Sequence, residues 1–181
     1  MSAVADVAVW RLPPRWVLLV ALLSIACAEI GGASMARFKV ELTRWARERM
    51  LARPAVHGLV GVRDVDERIL DEALVKFDAG LRLFHMHAEG MGLVIIATTM
   101  VAATVARSAP VRRAITVLLT TGGAGYPVGY LLWSALIPSY GLDGAKTIAE
   151  WLVWGPFGSV TIAALWWLVG LVVLRMLRPE G

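Results

Sequence analysis

The stretch from Asp78 to Gly92, which reads DAGLRLFHMHAEGMG, decides the fold that we predict for this chain. It holds two of the three histidines and lies where a charged segment meets an apolar one. Successive side chains of a helix turn by about 100°. One stripe therefore carries four titratable or charged residues, namely Asp78, Arg82, His85 and Glu89. His87 and Met91 lie roughly opposite, so a regular helix cannot direct both histidines at one ion.

The composition indicates a membrane protein. Of 181 residues, 58% are hydrophobic and 18% are charged, and the mean hydropathy is +0.67, which is more apolar than a typical soluble domain. The net charge of +4 comes from arginines near predicted helix ends and not from a long basic run, so nucleic acid is not an expected partner. Walker, G-x-S-x-G and H-E-x-x-H motifs are absent from the sequence, which argues against the enzymes that use them.

Four apolar stretches predict four membrane spans, at about 17–36, 81–106, 114–137 and 148–174. We therefore predict an all-α fold: an integral membrane four-helix bundle that forms a single domain over 1–181, in the inner membrane of a bacterium. The polar segment 37–80 is predicted to form an extramembrane helical hairpin. Asp64 as N-cap, with Glu67 three residues later, predicts the start of a helix that runs unbroken into the second span.

Two further features concern the spans themselves. The third contains GGAGYPVGY, from Gly122 to Tyr130, where a proline and several glycines predict a bend or tight packing. Arginines flank the two tails and the loop between the second and third spans, which indicates cytoplasmic termini. The ten lysines and arginines between Arg37 and Arg82 argue the other way.

Depth in the membrane predicts a site. At about 1.5 Å per residue, Glu29 and Glu89 each lie roughly 10 Å below the face that carries the long loop. Acids are costly inside a bilayer, so both are candidate catalytic residues that handle protons. Six other side chains lie in or near this layer and are candidate cofactor ligands: His85, His87, Met91, Tyr130, Trp133 and Trp154. Glu29 could equally form only a hydrogen bond to a neighbouring helix.

A metal site is the alternative. The candidate ligands are His85, His87, Glu89 and Asp78. His85 and Glu89 are separated by four residues, a spacing that metal-binding helices use, and Glu29 or Asp78 could complete the site. Imidazole with carboxylates suits iron, copper or zinc.

The His85-x-His87 pattern at the mouth of a membrane helix, followed by Gly90 and Gly92, resembles the haem-ligating second helix of haem-copper oxidase subunit I and similar b-type cytochromes. The resemblance covers some ten residues. It implies that His85 or His87 ligates a b-type haem, with a histidine of a distant helix as second ligand. Spans one, three and four contain no histidine, so Met35, His57 or a second copy of the chain would have to supply that ligand.

Three functions remain open. The first is a redox subunit for electron transport that binds a haem b or a quinone, and the second is a protein that binds iron, copper or zinc. The third is a scaffold or accessory subunit that serves other membrane subunits or forms a homo-oligomer. In the first two cases we expect His85→Ala or His87→Ala to abolish cofactor binding, and His57→Ala, in an ordinary surface residue, to leave it intact.

Overall fold

A computed structural model describes residues 11–177, and all regular secondary structure in that range is helical, which confirms the all-α prediction. The helices are α1 (Arg15–Leu51), α2 (Pro54–His57), α3 (Arg63–Val105), α4 (Ala109–Gly125), α5 (Val128–Ala149) and α6 (Gly155–Met176). A π-helical turn, Glu150–Trp154, joins α5 to α6.

The two long helices α1 and α3 pack antiparallel along their whole length. Near one end Arg47 of α1 forms an ion pair with Glu67 of α3, and towards the other end Gly92 of α3 fits against Ala21 and Ile25 of α1. The 43 residues of α3 make a rod about 65 Å long, about twice the thickness of the hydrocarbon core. The predicted unbroken helix is therefore confirmed, and α1 likewise continues to Leu51 with one distortion at Phe38.

The start of α3 differs from the prediction. Val62, not Asp64, is the N-cap, and no side chain caps the helix. Asp66 instead accepts the backbone N–H groups of Val60 and Gly61, at 2.8 and 3.0 Å. Asp66 therefore binds the loop that precedes the helix. Glu67, which was predicted to cap the helix together with Asp64, instead forms an ion pair with Arg47 of α1.

The second half of the chain forms a hairpin. From Ala109 the chain rises through α4 and α5, and it turns back at Gly141, whose φ of +71° lies in the left-handed region that favours glycine. Below that turn the two arms of the hairpin run antiparallel, because Gly129 meets Trp154 and Gly122 meets Thr161. The predicted bend falls between α4 and α5, where i→i+3 hydrogen bonds around Pro127 replace the regular pattern.

Three helical stretches of the described chain are long and apolar enough to cross a membrane: Arg15–Leu51, Arg63–Val105 and the 68-residue Ala109–Met176. The prediction that the chain carries membrane-spanning helices is consistent with these lengths and compositions.

The segment 37–80 does not stand alone. Its apolar face joins the second hairpin in a buried core that contains Ala46, Met50, Leu70, Ala73, Phe77, Ile137 and Ala145. Within this core the buried Ser134 hydroxyl donates a 2.6 Å hydrogen bond to the Phe77 carbonyl. His57, expected to be an ordinary surface residue, is half-buried and bonds the Pro138 carbonyl at 3.2 Å. The α1–α3 turn is thus fastened to α5.

Ser134→Ala is expected to lower the free energy of unfolding by about 1 kcal/mol, because a buried carbonyl loses its inter-helix donor. Ser24→Ala is the control, since the Ser24 hydroxyl bonds only to Val20 of its own helix. Detergent-denaturation midpoints measure both. Equal stability of the two variants would show that the Ser134 bond does not stabilise the contact between α3 and α5.

Candidate functional site

His87 faces the second hairpin and lies within a group of aromatic rings. Its Nδ1–H donates to the Leu83 carbonyl at 2.9 Å, so Nε2 keeps a free lone pair. The imidazole centroid lies 4.5 Å from that of Tyr130 and 6.1 Å from that of Tyr126. The hydroxyls of these two tyrosines are 3.3 Å apart, so one donates a hydrogen bond to the other and the accepting hydroxyl keeps its own O–H free to donate.

The rings continue away from His87. Tyr130 meets Trp154 with the centroids 5.0 Å apart, and Trp154 meets Trp133 at 6.0 Å. We call this set the aromatic cluster; its members are His87, Tyr126, Tyr130, Trp133 and Trp154. Side chains from α3, from the start of α5 with the residues just before it, and from the π-helical turn therefore meet at one level of the bundle.

Glycines and the π-turn create the room for these rings. The Trp154 indole lies directly against the backbone of Gly129, where any side chain would collide with it. Gly80 likewise leaves room for the Trp133 ring, because a Cβ added at Gly80 would lie 3.2 Å from that ring. The π-helical turn, followed by Pro156, shifts the register of the last helix and turns Trp154 inward while Trp151 remains 78% exposed.

Two hydrogen-bond donors of the aromatic cluster are unsatisfied. The indole Nε1 atoms of Trp133 and Trp154 are buried and have no hydrogen-bond partner among the described residues. Leaving such a donor unpaired costs about 1–3 kcal/mol, and most buried donors in folded proteins have a partner. Two such donors from adjacent rings favour a bound group that offers acceptor atoms.

His85 belongs to a different part of the bundle. Its Nδ1–H donates to the Ala28 carbonyl of α1 at 2.8 Å, and its ring lies against Gly32. His85 therefore contacts α1, whereas His87 contacts the second hairpin. Met91, on the same side as His87, packs against Gly123.

The predicted acids lie outside the aromatic cluster. Glu29 and Glu89 are exposed on the bundle and form no hydrogen bond or ion pair within residues 11–177. Asp78 pairs with Arg82 at 2.6 Å. In that same range no three histidine, cysteine or acidic side chains come close enough together to hold a metal ion. The structure thus brings together His87, Tyr130, Trp133 and Trp154, but not the metal ligands proposed with His85.

Tyr126 was missing from the candidates that the sequence provided. The signal that could have identified it is its spacing of four residues from Tyr130, which places both hydroxyls on one side of a helix. Comparisons with family models, with curated proteins and with solved structures give no match to this chain. Its function is therefore argued from the site alone.

Proposed function

We propose that this protein is an integral membrane redox subunit that binds a quinone headgroup at the aromatic cluster. The proposal places it in the cytoplasmic membrane of a bacterium, with four spans and both described ends on the cytoplasmic side. The unpaired indole donors of Trp133 and Trp154, next to His87, are the observation that carries the quinone assignment.

The reversal at Gly141 supports four spans. A straight helix of 68 residues would be about 100 Å long, over three times the hydrocarbon thickness. Divided at Gly141, the stretch supplies one ascending and one descending span. Trp166 and Trp167 on the descending span are exposed and suit contact with lipid.

The distribution of charge supports the orientation. One end of the bundle carries six arginines and, among the described residues, no acid: Arg11, Arg15, Arg107, Arg112, Arg113 and Arg175. The other half of the bundle carries all twelve described acids, Glu29 and Glu89 of the spans among them, with eleven lysines and arginines. The positive-inside rule counts lysines and arginines and gives acids little weight. Counted over the tails and the short 107–113 loop alone, it places the arginine end in the cytoplasm, and the basic residues of the α1–α3 hairpin count against this orientation. The aromatic cluster then lies towards the opposite face.

Labelling tests this orientation. In a Cys27→Ser background we expect Arg107→Cys to react with a membrane-impermeant maleimide only in inverted vesicles, and Asp64→Cys only in spheroplasts. Both positions are exposed, so reactivity reports the side of the membrane. Labelling of Arg107→Cys in intact spheroplasts would reverse the proposed orientation.

The donors of the aromatic cluster match a quinone. A quinone ring presents two carbonyl acceptors on a flat aromatic-sized body, and flat rings stack on aromatic side chains. The unpaired indole N–H groups of Trp133 and Trp154 are the donors that we assign to a quinone carbonyl. Near the other end of the cluster, Tyr126 and Tyr130 are joined by one O–H···O hydrogen bond, which leaves one hydroxyl proton available for the second carbonyl.

Reduction of a quinone to a quinol takes two protons and two electrons, and in this proposal the electrons come from a partner redox subunit. His87, whose Nε2 is free, can take up a proton and pass it to the quinone oxygen on the side of the tyrosines. Glu89 lies two residues further along α3, and Glu29 follows the Ala28 whose carbonyl holds His85. We propose these two exposed acids as the groups that exchange protons with the surroundings.

A b-type haem is the second candidate. The bond from His87 Nδ1 to the Leu83 carbonyl favours it, because a histidine that ligates a metal commonly donates its other N–H in this way. The described part of α1 and of α4–α6 has no histidine, and His57 already bonds Pro138. A second axial ligand would have to come from a methionine or from another chain.

One purification separates these candidates. The protein is extracted in mild detergent and analysed by chromatography of its lipid extract, by redox difference spectroscopy and by elemental analysis. We expect about one quinone per chain and no Soret band. A Soret band that disappears in His87→Ala would favour haem, and stoichiometric iron, copper or zinc a metal site. Absence of all three would reject the redox proposal and leave an accessory subunit of a larger membrane complex.

A further inference from the structure

The arginine end of the bundle contains a cavity that the quinone proposal does not use. Its volume is about 740 Å³, and it lies where the start of α1 meets the end of α3 and the start of α4. Three arginines line it: Arg11, Arg112 and Arg113. Trp16, Ala103 and Val117 form its apolar part. One wall is therefore cationic and another is suited to hydrocarbon.

The cationic wall is not neutralised within the described chain. No acid lies in the described parts of α1 before Glu29 or of α3 after Glu89, or anywhere in α4. Arg112 donates one hydrogen bond, of 3.4 Å, to the Ala106 carbonyl, and Arg11 uses its backbone N–H to bond Thr104. The guanidinium groups thus retain most of their donors, at a point where their charges repel one another.

An anion with an apolar body would satisfy both walls. Guanidinium groups bind phosphate oxygens through paired hydrogen bonds, and anionic phospholipids are abundant on the cytoplasmic face of membranes. Trp16 is 43% exposed at the rim, in the position that tryptophan favours at the boundary between headgroups and acyl chains. A free phosphate ion would use the arginines but leave the apolar wall of Ala103 and Val117 uncovered.

We propose that this cavity binds the phosphodiester headgroup of one anionic phospholipid, with Arg112 and Arg113 on the phosphate and an acyl chain along Val117. The site depends on the membrane orientation proposed above and not on the aromatic cluster. Loss of lipid binding therefore should leave the quinone content unchanged, and loss of quinone should leave lipid binding unchanged.

Native mass spectrometry of the purified protein tests the proposal with phosphatidylglycerol, phosphatidylcholine and inorganic phosphate as probes. We expect a single tightly held phosphatidylglycerol, and an affinity at least about tenfold lower in the double variant Arg112→Gln, Arg113→Gln, because charge-assisted bonds are removed. The control Arg15→Gln, Arg107→Gln removes the same charge from the same face outside the cavity. We expect it to change the affinity less than about twofold, since only screened surface charge is removed.

Val117→Trp provides a second test that leaves the charge intact. We expect the bulky ring to occupy the cavity and expel phosphatidylglycerol, with helix content by circular dichroism reporting that the fold is kept. Three outcomes overturn the proposal: equal retention of phosphatidylcholine, equal loss in the control variant, or displacement of the lipid by an equal concentration of inorganic phosphate. The last would assign the site to a small phosphorylated solute.

Discussion

Trp154→Phe is expected to weaken quinone binding about tenfold while leaving the unliganded protein equally or more stable. The first effect follows because the variant removes the buried N–H that bonds a quinone carbonyl, and one such bond contributes about 1.5 kcal/mol. The second effect has the opposite sign, because the unliganded protein no longer buries an unpaired donor, a gain of about 1 kcal/mol. Titration with a short-chain ubiquinone analogue measures the affinity, and denaturation without quinone measures the stability.

Trp151→Phe is the matched control. It removes the same indole group three residues away, but Trp151 is 78% exposed on the outside of the bundle. We expect neither affinity nor stability to change. A purely structural Trp154 would give another pattern, in which Trp154→Phe loses stability without a specific effect on quinone. Quinone affinity equal in Trp154→Phe and the unsubstituted protein would contradict the proposed role of the indole donor.

The fold could be predicted where the sequence pattern is local. The helical spacing of apolar residues from Leu70 to Leu81 continues without a breaker into the second span, and α3 is indeed unbroken. The capping prediction at Asp64 was wrong because the helix already begins at Arg63, where the Val62 carbonyl accepts the N–H groups of Val65 and Asp66. Asp64 thus lies in the first turn, and where that turn begins depends on the path of the loop. The sequence therefore predicts the extent of a helix more reliably than the hydrogen bonds at its ends.

The sequence predicts the depth of the candidate residues along their helices, but not which face of each helix contacts a neighbouring helix. Counting residues placed His87, Tyr130, Trp133 and Trp154 near one layer, and the structure joins them in the aromatic cluster. The same count placed Glu29 and Glu89 in that layer, but residue depth does not say which face of a helix meets a neighbour. That depends on inter-helix packing, which here follows the glycines: Gly32 receives His85 and Gly129 receives Trp154.

Gly92→Leu is expected to destabilise the bundle more than any other single change considered, by about 3 kcal/mol or more. A Cβ added at Gly92 would lie 2.9 Å from the Ala21 carbonyl oxygen and 2.6 Å from Ile25 Cγ1. The first of these is backbone and cannot rotate away, so α1 must move off α3. Small residues at such crossings allow membrane helices to approach closely, and the dispersion attraction between the helices then stabilises the contact. When the helices separate, this attraction is lost, and contact with lipid provides no hydrophobic free energy to compensate.

Gly90→Leu separates this packing effect from the general effect of replacing a glycine in a helix. Gly90 is two residues away on the same helix, and an added Cβ there meets nothing within 4 Å. Leucine also favours helix over glycine by about 0.8 kcal/mol, so we expect this variant to be as stable as the parent or slightly more stable. Unfolding in a titration with a denaturing detergent gives both free energies. Ordinary surface substitutions change the free energy of unfolding by up to about 0.5 kcal/mol. If the free energies of unfolding of Gly92→Leu and Gly90→Leu differ by no more than this, α1 does not cross α3 at Gly92. The pairing of the two helices that places His85 against Ala28 would then be wrong.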